Sequence, residues 1–395
     1  MSDSLIARNR IYSLDLLRGL VMIIMALDHT RDFFHFDSFL HDPLDLNTTT
    51  PLLYFTRWIT NFCAPVFVFL AGTSIYLQSL RKSKNELSAL LVKRGLWLIF
   101  VEVVFITFSW TFDLGFQIFI LQVIWAIGIS MVFMGAISRM PYKVILILGL
   151  IIVLGHNMLD YFPSTHTGFV WDLLHNGNFS TYQITPNRNI TIVYPFLPWL
   201  GLMMMGYSMG KWFEKDVSEA IRKPKLIITG TLLILAFIIL RFINQYGDPN
   251  AWVQQKSFLF TLLSFCNVNK YPPSIMFMCI TIGPALLFLA FAENMNNRIS
   301  RAISVYGKVP FFYYVLHFYL LHTICMVLFL IRGHAFFEPT PDIWGIPFRF
   351  QIVGEGYSLG VVYLIWLSVV LLLFPLCKWF AAYKQKHNYG WLSYL

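Results

Sequence analysis

An arginine and a histidine stand eleven positions apart early in the chain, Arg18 and His29, with a mostly apolar run between them. Imidazole is the side chain whose ordinary pKa best suits proton transfer near neutral pH. Guanidinium is the one best shaped to grip a phosphate or a carboxylate. On a helix of 3.6 residues per turn, eleven steps rotate about 1100°, roughly 20° past three full turns. The two groups therefore share a face and lie roughly 16 Å apart along the axis. Steps of three and four along that face read Asp15, Arg18, Met22, Met25, His29 and Asp32. Charge sits at both ends of the stripe and flexible methionine lies between. One reading has Arg18 snorkelling to an interface and pairing with Asp15 while His29 meets headgroups. The other makes the stripe a functional interior, where costly intramembrane ionisable groups usually point.

Other polar groups fall at comparable depth. His156 and Asp160 are i and i+4 in GHNMLD, a spacing that lets a carboxylate orient an imidazole or simply tie a helix end. His317 follows Tyr313 and Tyr314 by one turn, either as a satisfied core residue or as a group facing a substrate. Glu102 is placed to neutralise Arg18 or Arg94. Arg57 is placed to stabilise an oxyanion or to pair with Asp32. His35 and His41 lie in the segment that follows the first apolar run. No helix carries two ligands at metal-binding spacing, so no metal is expected. GxSxG, P-loop and GxGxxG patterns are absent.

These residues need elements to hold them. The chain has 395 residues, 57% of them hydrophobic and 12% charged, where soluble domains carry about 25% charged residues. Apolar runs of membrane-spanning length recur through it, and within lipid such runs must be helical. Ten spans are expected at about 14–34, 54–79, 93–112, 118–138, 143–162, 193–213, 225–244, 273–292, 309–331 and 357–380. The fold class is therefore all-α, a polytopic transmembrane bundle forming one domain over 1–395. Of the 29 Lys and Arg residues, 21 fall on the side holding both termini, from Arg8 and Arg10 to Lys384 and Lys386. The other eight, Lys270 among them, fall opposite. The basic side is the cytoplasmic one. The same rule explains the net charge of +9 without nucleic acid. Five scattered cysteines offer neither a disulfide framework nor a CxxC knuckle. Pro65 should kink the second span, and Ala64, Ala71 and Gly72 should let another helix approach it closely. Outer segments 35–53, 163–192, 245–272 and 332–356 are rich in Asn, Thr, Asp, Pro, Trp and Tyr. They suit either a polar neutral ligand such as a sugar or plain connections.

The order SLDLLRG, apolar run, PVFVFLAGTS resembles the heparan-alpha-glucosaminide N-acetyltransferase family. LDHTRDFF, FTRWITNFCAPVFVFLAGTS, KRGLWLIFVE, QVIWAIG and GHNMLD look like its bacterial branch. The Arg-x10-His spacing is also similar to that of the membrane O-acyltransferases, where the pair is implicated in acyl transfer. The resemblance implies acetyl-CoA as donor, a glycan-type acceptor, the bilayer of a bacterial inner membrane as setting, and possible homo-oligomers. In the heparan enzymes the proposed active histidine lies in the loop before the second span. Here His35 and His41 occupy that loop without the family's Trp and Gly context.

The expected function is acetyl transfer from cytoplasmic acetyl-CoA to an amino or hydroxyl group at the outer face. His29 would serve as base or take the acyl group itself, with Asp32 orienting its ring or stabilising its protonated form, and His156 and Asp160 would act as second base or acceptor site. Arg18, Asp15 and Arg94 would hold the donor, and Arg57, His35, His41 and His317 the acceptor. The rival class is a small-solute transporter, for which intramembrane charge is equally natural.

Overall fold

The computed structural model describes residues 11–161, 168–340, 342–343, 346–387 and 389–393. Arg8 and Arg10 of the basic count, Phe162 at the end of the fifth expected span and positions 163–167 lie outside the described residues.

The chain is mostly helical. α1 (Tyr12–Phe34) runs through the centre. α2 (Pro51–Ile59) and α3 (Cys63–Ser79) form the second apolar segment, joined by a 3-10 turn at Thr60–Phe62. The turn sits just ahead of Pro65, whose missing N–H interrupts the α-ladder there. α4 (Lys84–Val101) continues through a π-helical turn, Glu102–Ile106, into α5 (Thr107–Thr111). α6 (Val123–Ile137), α7 (Tyr142–Gly155) and α9 (Phe196–Met209) follow, with short α8 (Phe169–Leu174) between the last two. Then come α10 (Glu219–Ile243), α11 (Phe258–Cys266), α12 (Ile275–Ala292), α13 (Arg298–Lys308), α14 (Pro310–Ile331) and α15 (Leu359–Lys386).

An all-α class needs correction. The first four residues of the expected span 118–138 form strand β1 (Ile118–Leu121), and the segment 163–192 contains a hairpin, β2 (Ser180–Thr185) and β3 (Arg188–Ile192). β3 is central: β1 pairs parallel to it, with Leu121 opposite Ile192, and β2 pairs antiparallel. IFIL and RNITI are rich in β-branched and aromatic residues, and apolar composition alone does not separate a strand from the start of a helix. Val193 and Tyr194 both donate backbone bonds to the Leu121 carbonyl. The sheet thus sets the start of α6 beside the residue that leads into α9.

Among the described residues, six helical stretches are long and apolar enough to cross a membrane: Pro51–Ser79, Tyr142–Tyr161, Glu219–Ile243, Ile275–Ala292, Pro310–Ile331 and Leu359–Lys386. α10 and α15 turn exposed leucine and isoleucine outward, including Ile228, Leu232, Leu364 and Leu371. Water does not solvate such a surface cheaply; lipid does. α1 is long enough to span but carries Asp15, Arg18, Asp28, Arg31 and Asp32. Its neighbours α3, α12, α13, α14 and α15 shield those charges.

Glycines set the tightest crossings. A β-carbon at Gly19 would collide with the Ile303 carbonyl, and one at Gly307 with that of Asp15, so α1 and α13 touch backbone to backbone. Gly72 meets Met203 and Gly206 meets Phe69 in the same way, locking α3 to α9. Bundles in lipid rely on such small-residue contacts because no hydrophobic drive acts between apolar helices there.

Candidate active site

A cavity of about 1190 Å³ lies against one face of α1. Arg18, Asp15, Met22, Met25 and His29 all line it, so five of the six residues of the stripe do. One end is net basic, with Arg81, Arg94, Lys215, Arg222, Lys308 and Lys384 outnumbering the carboxylates Glu214, Asp216 and Glu219 that line it too. Arg18 binds Asp15 at 3.1 Å and donates to Ser74 Oγ at 2.7 Å, which aims its guanidinium along the wall. The middle is apolar, lined by Met22, Met25, Phe67, Ile75, Ile127 and Met131. The far end is polar again, with Asp28, His29, Thr60, Tyr194 and Lys270.

His29 is held in an aromatic enclosure. Its ring centroid lies 4.2 Å from Phe318, 5.3 Å from Trp110 and 5.4 Å from His317. Its Nδ1 is buried without a hydrogen-bond partner, which leaves Nε2 as the ring nitrogen able to meet the cavity. Asp32 does not orient the ring as expected. Its Oδ2 is 3.9 Å from His29 Nδ1, beyond hydrogen-bond range, and Oδ1 accepts from Arg31.

Arg57 pairs with Asp28 at 3.0 Å rather than with Asp32, and Arg31 approaches the other oxygen of Asp28 at 3.0 Å. Asp28, Arg31, Asp32 and Arg57 form a largely buried quartet of zero formal charge next to His29. Glu102 does not neutralise Arg18 or Arg94. It is fully buried and accepts the Trp125 amide at 3.0 Å, capping the N-terminus of α6, where four backbone donors lack intrahelical partners.

His156 and Asp160 do not pair. The chain tightens to a 3-10 helix from His156, which breaks the i+4 geometry. His156 Nε2 reaches the Pro273 carbonyl at 2.8 Å, while Asp160 takes His175 Nε2 at 2.8 Å and Asn157 Nδ2. Neither lines the cavity. His35 and His41 do not line it either. His35 is buried and accepts from the Asp37 amide, and burial holds its pKa below the ordinary value. His41 is half exposed and sits 2.7 Å from Asp37. His317 is fully buried beside His29.

Asp28, Lys270 and Tyr194 are site residues that the stripe misses. Asp28 is also one step of three beyond Met25 and i,i+3 from Arg31, but the stripe steps by four from Met25 to His29 and passes it. Lys270 comes from a loop 241 positions beyond His29, and local spacing carries no sign of that. Among the described residues it forms no ion pair, yet its charge acts on Asp28 and His29. No cluster of three or more potential metal ligands occurs among the described residues.

Comparison with known proteins matches residues 10–242 to the family described as Heparan-alpha-glucosaminide N-acetyltransferase, catalytic. No curated protein matches the chain. The matched region holds α1 to α9 and nearly all of α10, and thus Arg18 and His29. Lys270, Lys308 and the α14 residues around His29 come from beyond it.

Proposed function

The chain belongs to the heparan-alpha-glucosaminide N-acetyltransferase family, an integral-membrane acetyltransferase family, and from that premise we propose a specific reaction for it. It moves an acetyl group from cytoplasmic acetyl-CoA to an amino or hydroxyl group of a glycan-type acceptor at the outer face of a bacterial inner membrane. The observation that carries this reading is the cavity itself: basic at one end, apolar through its middle and ending at His29. That sequence of linings matches a donor with phosphates at one end, an uncharged arm, and a thioester at the other.

The donor supplies an activated acyl group. Arg18 and the neighbouring basic residues bind its phosphates by charge and by directed N–H groups. Met22 and Met25 form a pliable apolar wall for the arm. At the far end His29 Nε2 takes the proton from the acceptor's attacking nitrogen or oxygen. That atom bonds to the acyl carbon, the carbon–sulfur bond breaks, and the departing thiolate takes the proton from His29. Lys270 supplies positive charge where the oxyanion develops, in a site shielded from bulk water. The quartet around Asp28 holds α1 and α2 together without adding net charge beside the imidazole.

The test is transfer of labelled acetyl from acetyl-CoA to a panel of outer-surface glycans by the purified protein. Loss of a general base costs about 10²–10⁴-fold in rate. His29→Ala should therefore bind CoA and lose nearly all transfer, while His35→Ala and His41→Ala lose little. Arg18→Ala should weaken CoA binding, with Arg18→Lys recovering only part of it. An active His29→Ala protein beside a dead His35→Ala or His41→Ala protein would move the catalyst to the loop.

A further inference from the structure

We propose that His317 is the positioning residue that sets the tautomer of His29; the inference rests on the role of His29 proposed above.

His317 Nδ1 lies 3.1 Å from the Tyr313 carbonyl. A carbonyl only accepts, so Nδ1 carries the proton and the neutral ring presents a bare lone pair at Nε2. That Nε2 is buried and has no partner. The neighbouring ring carries a second orphan, since His29 Nδ1 is also buried without a hydrogen bond. The two ring centroids are 5.4 Å apart with planes inclined by 36°. Rings this close bring a donor and an acceptor nitrogen within reach of a direct bond after a small side-chain shift, or of one bridging water. Trp110 Nε1 and the Tyr313 and Tyr314 hydroxyls are buried and unpaired around the same two rings; of these atoms the two imidazole nitrogens, one able to donate and the other to accept, each cost free energy that pairing removes.

The alternative acceptor is weaker. Asp32 Oδ2 is 3.9 Å from His29 Nδ1, and the same carboxylate is already engaged by Arg31. With the Nδ1 proton directed at His317, the Nε2 lone pair of His29 faces the cavity, which is the form a general base needs. When His29 takes the acceptor's proton at Nε2, its Nδ1–H bond to His317 strengthens, and the imidazolium is stabilised without a second carboxylate. Tyr313 holds the whole relay in register, because its carbonyl fixes which nitrogen of His317 is bare.

The experiment compares His317→Phe and His317→Gln by steady-state transfer kinetics, with His29→Ala in the same assay. Phenylalanine keeps the packing and cannot accept; a glutamine oxygen can. His317→Phe should lower kcat at least about 100-fold with KM for acetyl-CoA unchanged, and His317→Gln should return to within about tenfold of wild type. A His317→Phe protein within threefold of wild type overturns the proposal, and so do Phe and Gln variants that are equally slow. If His317→Phe does not fold, ¹⁵N-histidine spectra decide, the His29 signals being assigned by their loss in His29→Ala. The Nδ1–H signal of His29 should persist in Asp32→Asn and shift in His317→Gln; the reverse pattern refutes the pairing. Wild-type-like transfer by His29→Ala would instead remove the parent reading, while the spectra still report whether the two rings pair.

Discussion

Asp28 holds two arginines, Arg31 and Arg57, at 3.0 Å each, and the side chains of all three are largely buried. Truncating it strands positive charge in a low-dielectric interior, which typically costs about 3–5 kcal/mol. Asp28→Ala should therefore be much less stable to heat or denaturant in detergent. Adding Arg57→Leu should recover part of the loss, because the stranded charge is then reduced. If the double variant is as unstable as the sum of the singles, the pair is not coupled. The same residues show what was readable from sequence at this scale. Arg18 and His29 lie on one helix, where periodicity alone puts them on one face. The partners that Arg57 and Glu102 take, Asp28 and the Trp125 amide, are not legible from spacing, because each is chosen by how separate elements meet. A carboxylate facing a helix N-terminus competes with arginines, and only packing decides between them.

α4 opens with a reciprocal cap: the Glu86 amide donates to Ser83 Oγ while the Ser83 amide donates to Glu86 at 2.9 Å. The Ser83 amide and hydroxyl both donate to the Glu86 carboxylate and hold it below its ordinary pKa. Ser83→Ala should destabilise the N-terminal end of α4 by about 1 kcal/mol, seen as faster amide exchange in its first turn. In the segment after α14, His334 sits 3.1 Å from both Glu355 and Glu338, and these bonds raise its pKa. A raised folded pKa gives stability that is present below the unfolded pKa and lost as pH rises through the folded one. Amide exchange around 334–355, corrected for its intrinsic pH dependence, should accelerate from acid to mildly alkaline pH. A flat or opposite trend would show that the cluster does not tie this segment. Apolar runs located α1, α12 and α14 to within two residues, but α4 begins nine residues before the expected span at 93, and α10 and α15 each extend six residues beyond theirs. Periodicity could not see α13, because Arg298–Lys308 is amphipathic and too polar to register as a span. Nor could it see that IFIL before α6 pairs with a hairpin about 70 residues later.

At the scale of the whole molecule, six helical stretches among the described residues are long and apolar enough to cross a membrane, and we propose ten crossings with both termini on the basic, cytoplasmic side. Reporter fusions after Lys84, Arg188 and Lys386 should read inside, outside and inside, and an inside signal at Arg188 would overturn that arrangement. The crossing of α1 and α13 carries a further consequence. Gly19 adjoins Arg18, and Gly307 adjoins Lys308, so the backbone contact that joins the helices also sets the gap between two cations at the cavity's basic end. The gauge of that entrance is written into main chain and not into side-chain choice. For evolution or for an engineer, this means that the width of the entrance cannot drift by single conservative steps. Exchanging Arg18 or Lys308 changes the strength of the grip, whereas widening the entrance for a bulkier donor requires moving a whole helix.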